Sequence, residues 1–170
     1  WMNPFKTGAT GAVAVDALRR MNDYAATRDM KLVFEATNHL EMGKFVNTAG
    51  NHKKLIELTG CDNIGIQLDW FHVNMEELDP YEALMEAQPR LWHLHFRDSN
   101  SLTPGYGKTD FRAVMRGLKR TGYQGYCTVE SAPMVPSADD SARDGIEYLK
   151  LMERIAEYQL SADFPNGYAI

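Results

Sequence analysis

Hydrophobic residues recur along the chain with two different periods. Spacings of three and four residues predict five helices, over 12–28, 43–59, 80–88, 109–121 and 140–158. Between them, compact apolar runs predict four strands, over 31–36, 63–69, 91–96 and 126–130. Gly60 suits the C-cap of the second helix, and Asp79 with Pro80 suits the start of the third. Glu76 and Glu77 are interpreted as a charge pair at a helix start, where they complement the helix dipole.

This alternation of helices and strands indicates a fold class. Strands that alternate with helices pair in parallel through right-handed crossovers. The strands begin near residues 31, 63, 91 and 126, at intervals of 32, 28 and 35 residues, which is the period of one βα unit in a (β/α)₈ barrel of roughly 250 residues. An open doubly wound sheet also fits, but its usual glycine-rich phosphate loop after the first strand is absent. We therefore expect an α/β fold that forms half of a TIM barrel.

Composition removes several functional classes. The chain has 170 residues, of which 44% are apolar and 24% charged, so it can bury a core without disulfides or a structural metal. Its two cysteines, Cys61 and Cys127, form no CxxC pair, which fits a reducing, cytoplasmic compartment. A net charge of −5 disfavours nucleic-acid binding. The chain contains no run of 18 apolar residues, so the sequence predicts no membrane span.

Each predicted strand carries, at or next to its C-terminal end, a polar residue that is costly to bury. Because side chains alternate across a strand, parity places one such residue per strand on the inward face: Glu35, Asp69, His95 and Glu130. Barrel enzymes carry their chemistry at this C-terminal rim. One divalent cation, chosen among Mn²⁺, Mg²⁺, Co²⁺ and Zn²⁺, would neutralise the converging carboxylates. The alternative is that each residue is only a solvated polar group at a strand end.

Several short motifs carry a family resemblance. They are EATNHLE at 35–41, NTA at 47–49, LDWFHVNMEE at 68–77, HLH at 93–95, PGYG at 104–107 and TVES at 128–131. In this order they resemble the ketose 3-epimerase branch (tagatose and psicose 3-epimerases) of the sugar-phosphate isomerase/epimerase superfamily, whose TIM barrel is xylose isomerase-like. The resemblance covers about 12 to 158. It implies that residues 1–170 form a single partial domain, the C-terminal half of the barrel (strands five to eight), without the N-terminal half.

Carried over position by position, the resemblance also implies roles. Glu35, Asp69, His95 and Glu130 would bind one divalent metal, with Mn²⁺ as the first choice. Glu35 and Glu130 would face opposite sides of the substrate's C3 and exchange protons with it through a metal-stabilised enediolate. Glu41 and His72 match positions that hold the oxygens at the carbonyl end of the sugar. The implied partner is a small-molecule ketose or a related sugar.

Two departures from the sequence pattern of the branch leave the identity of the sugar undetermined. His39 and Ser101 stand where the branch usually has arginines that grip the substrate. Arg97, two residues beyond His95, is a candidate to replace them, although a solvated arginine at a strand end is the alternative. An inosose dehydratase or a hydroxypyruvate isomerase would use the same metal and base. An endonuclease IV-like metal nuclease would need more histidines and a basic groove, and an inactive fragment would keep the ligands alone.

The edges of the predicted sheet bear on assembly. Four parallel strands leave two edges unpaired, which is an association hazard, and the chain begins with Trp1 rather than Met. We therefore expect part of a longer polypeptide, or a homo-oligomer in which the open edges pair with another half.

Overall fold

The computed structural model describes residues 11–40 and 46–161. Helices and strands alternate along the chain as the hydrophobic pattern predicts. In order, the elements are α1 (Gly11–Ala26), β1 (Leu32–Ala36), α2 (Ala49–Thr59), β2 (Ile64–Asp69), α3 (Trp70–Glu76), α4 (Pro80–Glu86), β3 (Leu91–Phe96), α5 (Phe111–Thr121), β4 (Tyr126–Val129) and α6 (Ala138–Ser161). None of the helices described is long and apolar enough to cross a lipid bilayer.

The four strands form one parallel sheet in the order β1-β2-β3-β4. The expected α/β architecture of half a barrel is confirmed. The register aligns Asp69 at the end of β2 with His95 on β3, and His95 with Thr128 on β4. The last residues of the strands therefore meet along one rim.

The core lies between the sheet and its helices. Alternate residues of the two central strands, including Ile64, Ile66, Leu68 and Leu94, are completely buried on the helical side. They pack with apolar residues of the surrounding helices, among them Leu55, Ile56, Leu84, Phe111 and Val114. Removing this apolar surface from water stabilises the layer arrangement. The polar residues at alternate positions are thereby left on the opposite, inward face.

A β-bulge interrupts the pairing of β2 with β3. Ile66 aligns with Leu91, but the next residue, Gln67, aligns with His93, so Trp92 has no partner in the register. The indole of Trp92 lies against Gly65, where a Cβ atom would be only 2.2 Å from the ring. Only glycine allows this close approach.

Most predicted helix bounds shift by one or two residues, and three helical segments show larger or additional differences. The second helix starts at Ala49 rather than at 43, because Thr48 forms its N-cap and accepts a hydrogen bond from the Asn51 N–H (3.2 Å). Residues 41–45 lie outside the described residues. The short helix α3 was not predicted; it begins directly after β2 because the Asp69 carboxylate caps its first turn. The last helix is longer at both ends, Ala138–Ser161.

The interpretation of Glu76 and Glu77 as a pair at a helix start is wrong. Glu76 is the last residue of α3, and Glu77 follows it as the C-cap. The Glu77 carboxylate instead accepts a hydrogen bond from the Ala49 N–H (2.6 Å) at the first turn of α2. Glu77 thus complements the dipole of a neighbouring helix rather than its own. The caps predicted at Gly60 and Asp79 are confirmed.

Candidate metal centre

The structure brings the four predicted ligands together at the rim. Glu35 lies on β1, Asp69 ends β2, His95 lies on β3 and Glu130 directly follows β4. One potential ligand atom from each of these residues lies within 4.8 Å of the others. Parallel pairing produces this convergence, because it places the C-terminal ends of all four strands at one edge.

His95 is the centre of the hydrogen bonds in this cluster. Its Nδ1 lies 2.5 Å from Glu130 Oε2, 3.3 Å from Gln67 Nε2 and 3.6 Å from Glu35 Oε1. The hydrogen bond to Glu130 raises the pKa of His95 and lowers the pKa of Glu130. Burial raises the pKa of Glu35, although His95 opposes this. The two glutamates are therefore shifted in opposite directions.

Asp69 provides the test of whether a cation fits. Its side chain is 1% exposed, and its Oδ1 accepts a hydrogen bond from the Phe71 N–H at 2.7 Å. Among the residues that the structure describes, none donates a hydrogen bond to its buried Oδ2. Burial, assisted by Glu35 and Glu130, raises the pKa of Asp69 to about 7. A buried oxygen without a donor, facing two more carboxylates and an imidazole, is a donor set that suits a divalent ion.

His72 lies beside this cluster, one helical turn after Asp69. Its side chain is 5% exposed, and Nε2 is 4.0 Å from Asp69 Oδ2. On the other side of the ring, Nδ1 is 2.7 Å from Nδ2 of Asn38, which is fully buried in the loop after β1. Asn38 belongs to the EATNHLE motif, but the sequence predicts no role for it. Glu41, the other predicted substrate contact, lies outside the described residues.

Arg97 reaches into the cluster rather than into solvent. Its side chain is 12% exposed, and Nη1 lies 3.5 Å from Glu130 Oε1 and 3.9 Å from Asp69 Oδ2. Nε and Nη2 both donate hydrogen bonds to Ser101 Oγ (3.0 and 2.5 Å). The guanidinium carbon lies 4.5 Å from the centre of the Phe71 ring, within cation–π range. The alternative of a solvated arginine at a strand end is therefore wrong.

Asp98, for which the sequence predicts no role, organises the loop after β3. This residue is fully buried, and its carboxylate accepts hydrogen bonds at 2.7–3.0 Å from the backbone N–H groups of Ser99, Gly105, Gly107 and Thr109. Burial by itself would raise the pKa of Asp98, but these donors outweigh it and the pKa is lowered. The PGYG motif was the available signal, because glycines often mark a close backbone approach.

The other departure noted in the sequence, His39, is engaged at the surface. Its Nδ1 lies 2.5 Å from Glu76 Oε1, and its backbone N–H donates to the same oxygen at 2.8 Å. The ring is half exposed. His39 therefore ties the loop after β1 to the end of α3.

Comparisons with known proteins give a consistent set of relatives. A family model described as xylose isomerase-like TIM barrel matches residues 6–152. The D-psicose 3-epimerase of Enterocloster bolteae is 34% identical over 119 residues, which cover 70% of this chain and 39% of that protein. A solved L-ribulose 3-epimerase superposes with a TM-score of 0.79 at 25% identity, covering 90% of this chain and 58% of that one. The apo structure of a 3-keto-D-glucoside 4-epimerase from E. coli gives a TM-score of 0.78 at 26% identity, covering 83% and 53%. The chain spans about half the length of the curated relatives it matches.

Proposed function

We propose that this chain, which belongs to the xylose isomerase-like TIM barrel family, acts as a divalent-metal-dependent ketose 3-epimerase or a closely related sugar isomerase. The observation that carries the proposal is the convergence of Glu35, Asp69, His95 and Glu130 within 4.8 Å on one rim. The names of the relatives support it, since they include a D-psicose 3-epimerase and an L-ribulose 3-epimerase.

The four rim residues would hold one ion, with Mn²⁺ as the first choice. When bound, such an ion supplies Lewis-acid chemistry that acidifies a C–H bond beside a carbonyl group. Glu35 and Glu130 come from the two outer strands, with β2 and β3 between them, and so they approach the cluster from opposite sides. One carboxylate removes the proton at C3 and the other returns a proton to the opposite face. This exchange inverts the stereocentre.

Two fixed donor groups beside the cluster would bind the oxygens of the sugar. Ser101 and Phe71 hold the guanidinium of Arg97, and Asn38 holds the imidazole of His72. Groups that are fixed before binding lose little entropy when the substrate arrives. We assign Glu41 to the same task on the strength of the family motif alone.

We also propose that the four strands form the C-terminal half of an eight-stranded barrel. Among the described strands, β1 and β4 pair on one side only. Inward side chains near these edges are open to solvent: Val33 is 42% exposed and Tyr126 is 82% exposed. A second half-barrel, in the same polypeptide or in another copy, would pair with both edges and cover these residues.

Metal content and turnover on a sugar panel test the proposed function together. The panel holds ketohexoses and ketopentoses, with an inosose and hydroxypyruvate as the competing substrates. We expect about one divalent ion per chain, epimerisation at C3 of a ketose, and incorporation of deuterium at C3 in D₂O. Protein that binds no divalent ion, or that converts only the inosose or hydroxypyruvate, would contradict the proposal.

A further inference from the structure

We propose that Asn38 is a positioning residue that fixes the tautomer of His72, so that His72 presents an N–H donor at Nε2 on the side of the metal cluster. The catalytic use of this donor rests on the proposed function. The tautomer itself rests only on the contacts of two buried side chains, and it can be measured separately.

The orientation of the Asn38 amide is the first step. Its Oδ1 accepts a hydrogen bond from the backbone N–H of Leu40 at 3.1 Å, and a carbonyl oxygen is the amide atom that can do so. The amide nitrogen must then point the other way, towards His72, where Nδ2 lies 2.7 Å from Nδ1. Asn38 has no exposed surface, so water does not compete readily for either atom.

The protonation of the His72 ring follows from this orientation. An amide nitrogen only donates, so the His72 Nδ1 that faces it must offer a lone pair. A neutral imidazole carries its proton on the other nitrogen, which here is Nε2. Nε2 lies on the side of the ring that faces the cluster, 4.0 Å from Asp69 Oδ2. The opposite tautomer would place two N–H groups against each other in a buried site.

This arrangement has a chemical use in the proposed reaction. A neutral N–H donor can stabilise negative charge that develops on a sugar oxygen, without adding a positive charge beside the bound cation. Because Asn38 sets the donor before substrate binds, no reorganisation is needed during the reaction. Asn38 would act only through His72 and would not touch the substrate.

Nitrogen NMR of the imidazole tests the tautomer directly. We expect the wild-type protein, metal-free or loaded with diamagnetic Mg²⁺, to give a pyridine-type signal for Nδ1 and a pyrrole-type signal for Nε2 of His72. Asn38→Asp keeps the shape and the acceptor for Leu40 but replaces the donor, so Nδ1 should gain a proton and become pyrrole-type. The matched control is Asn47→Asp, because Asn47 Nδ2 donates to the Thr37 carbonyl rather than to an imidazole. It should leave the His72 signals unchanged.

Wild-type protein with the proton on Nδ1 of His72 would overturn the assignment, whether or not Asn38→Asp folds. An unchanged Nδ1 signal in Asn38→Asp would overturn it as well. Neither result depends on turnover, so failure of the tautomer and failure of the proposed function can be told apart.

A double-mutant cycle tests the positioning role. In Asn38→Asp the neutral His72 ring carries its proton on Nδ1, so Nε2 no longer donates to the sugar. Loss of one preorganised donor typically costs about 10²–10³-fold in rate, so this variant should lower kcat on the ketose by at least about tenfold. In a His72→Gln background no Nδ1 remains, and the rotatable amide can still offer an N–H near the position of Nε2. Asn38→Asp should then change kcat by less than about threefold. Equal losses in both backgrounds would assign Asn38 a merely structural role and refute the inference.

Discussion

His52 lies fully buried in α2, and its imidazole has no hydrogen-bond partner among the described residues. Both ring nitrogens are buried, and the ring lies edge-on to Phe34 with a centroid distance of 5.0 Å. Burial lowers the pKa of His52 to about 3, from 6.5 in an unfolded chain. The unfolded state therefore takes up a proton below about pH 6.5, whereas the folded state does not until about pH 3. Stability that is fully present above pH 6.5 is lost as the pH falls towards 3.

The size of this loss follows from the two pKa values. Each pKa unit corresponds to about 1.4 kcal/mol, so lowering the pH from 7 to 4.5 should remove roughly 2–3 kcal/mol of unfolding free energy. Asp69 acts in the opposite direction, because burial raises its pKa to about 7 and its ionisation destabilises the fold as the pH rises. The contribution of the His52 imidazole to the pH dependence of stability is therefore obtained only by comparison with a variant that lacks His52.

The perturbation is His52→Leu, measured by urea unfolding at a series of pH values. Leucine fills a similar volume without polar atoms, and the contribution of Asp69 cancels in the difference between variant and wild type. The stability of the variant relative to wild type should increase by roughly 2–3 kcal/mol between pH 7 and pH 4.5. Lys54→Gln, an exposed change on the same helix, should show no such trend. An increase below about 0.5 kcal/mol would mean that the imidazole is solvated or hydrogen-bonded, and the reasoning would fail.

Three predictions concern the rim. Asp69→Ala removes a ligand and should abolish metal binding with little loss of helical circular dichroism; an unchanged metal stoichiometry would refute the ligand assignment. Glu130→Gln keeps a ligand oxygen but cannot act as a base, so C3 proton exchange with D₂O should fall by about 10²–10⁴-fold, and a loss below about tenfold would count against this role. Ser101→Ala frees the guanidinium of Arg97 and should raise KM about tenfold, from about 1.5 kcal/mol for a hydrogen bond to a charged group. Ser99→Ala in the same loop is the control. An equal KM in both variants would contradict the proposal that Ser101 positions Arg97 for substrate binding.

The sequence was most informative where the pattern is local and periodic. Alternation along each strand was enough to predict that Glu35, Asp69 and His95 share a face, because parity depends only on neighbouring residues. The same alternation does not predict the bulge at Trp92, because the bulge depends on the close approach of the Trp92 indole to Gly65 on β2.

Short elements and loops were harder to predict for a related reason. The seven residues of α3 are too few to show a period, and the helix begins where the Asp69 side chain caps it. Asp98 looks like an ordinary residue after a strand. Its role appears only when the N–H groups of residues up to eleven positions later fold back onto it.

Ser101 joins the loop after β3 to the loop after β4 through hydrogen bonds. It accepts hydrogen bonds from Arg97, its hydroxyl donates to the Ala132 carbonyl (2.7 Å), and its own carbonyl accepts from the Ala132 N–H (2.8 Å). Replacing only one of these loops with that of a relative, in order to change sugar preference, would remove the hydrogen bonds between Ser101 and Ala132. The guanidinium of Arg97 would then lose its fixed position. The two loops should be transplanted as a pair, and libraries that vary residues 98–109 should vary 130–133 at the same time.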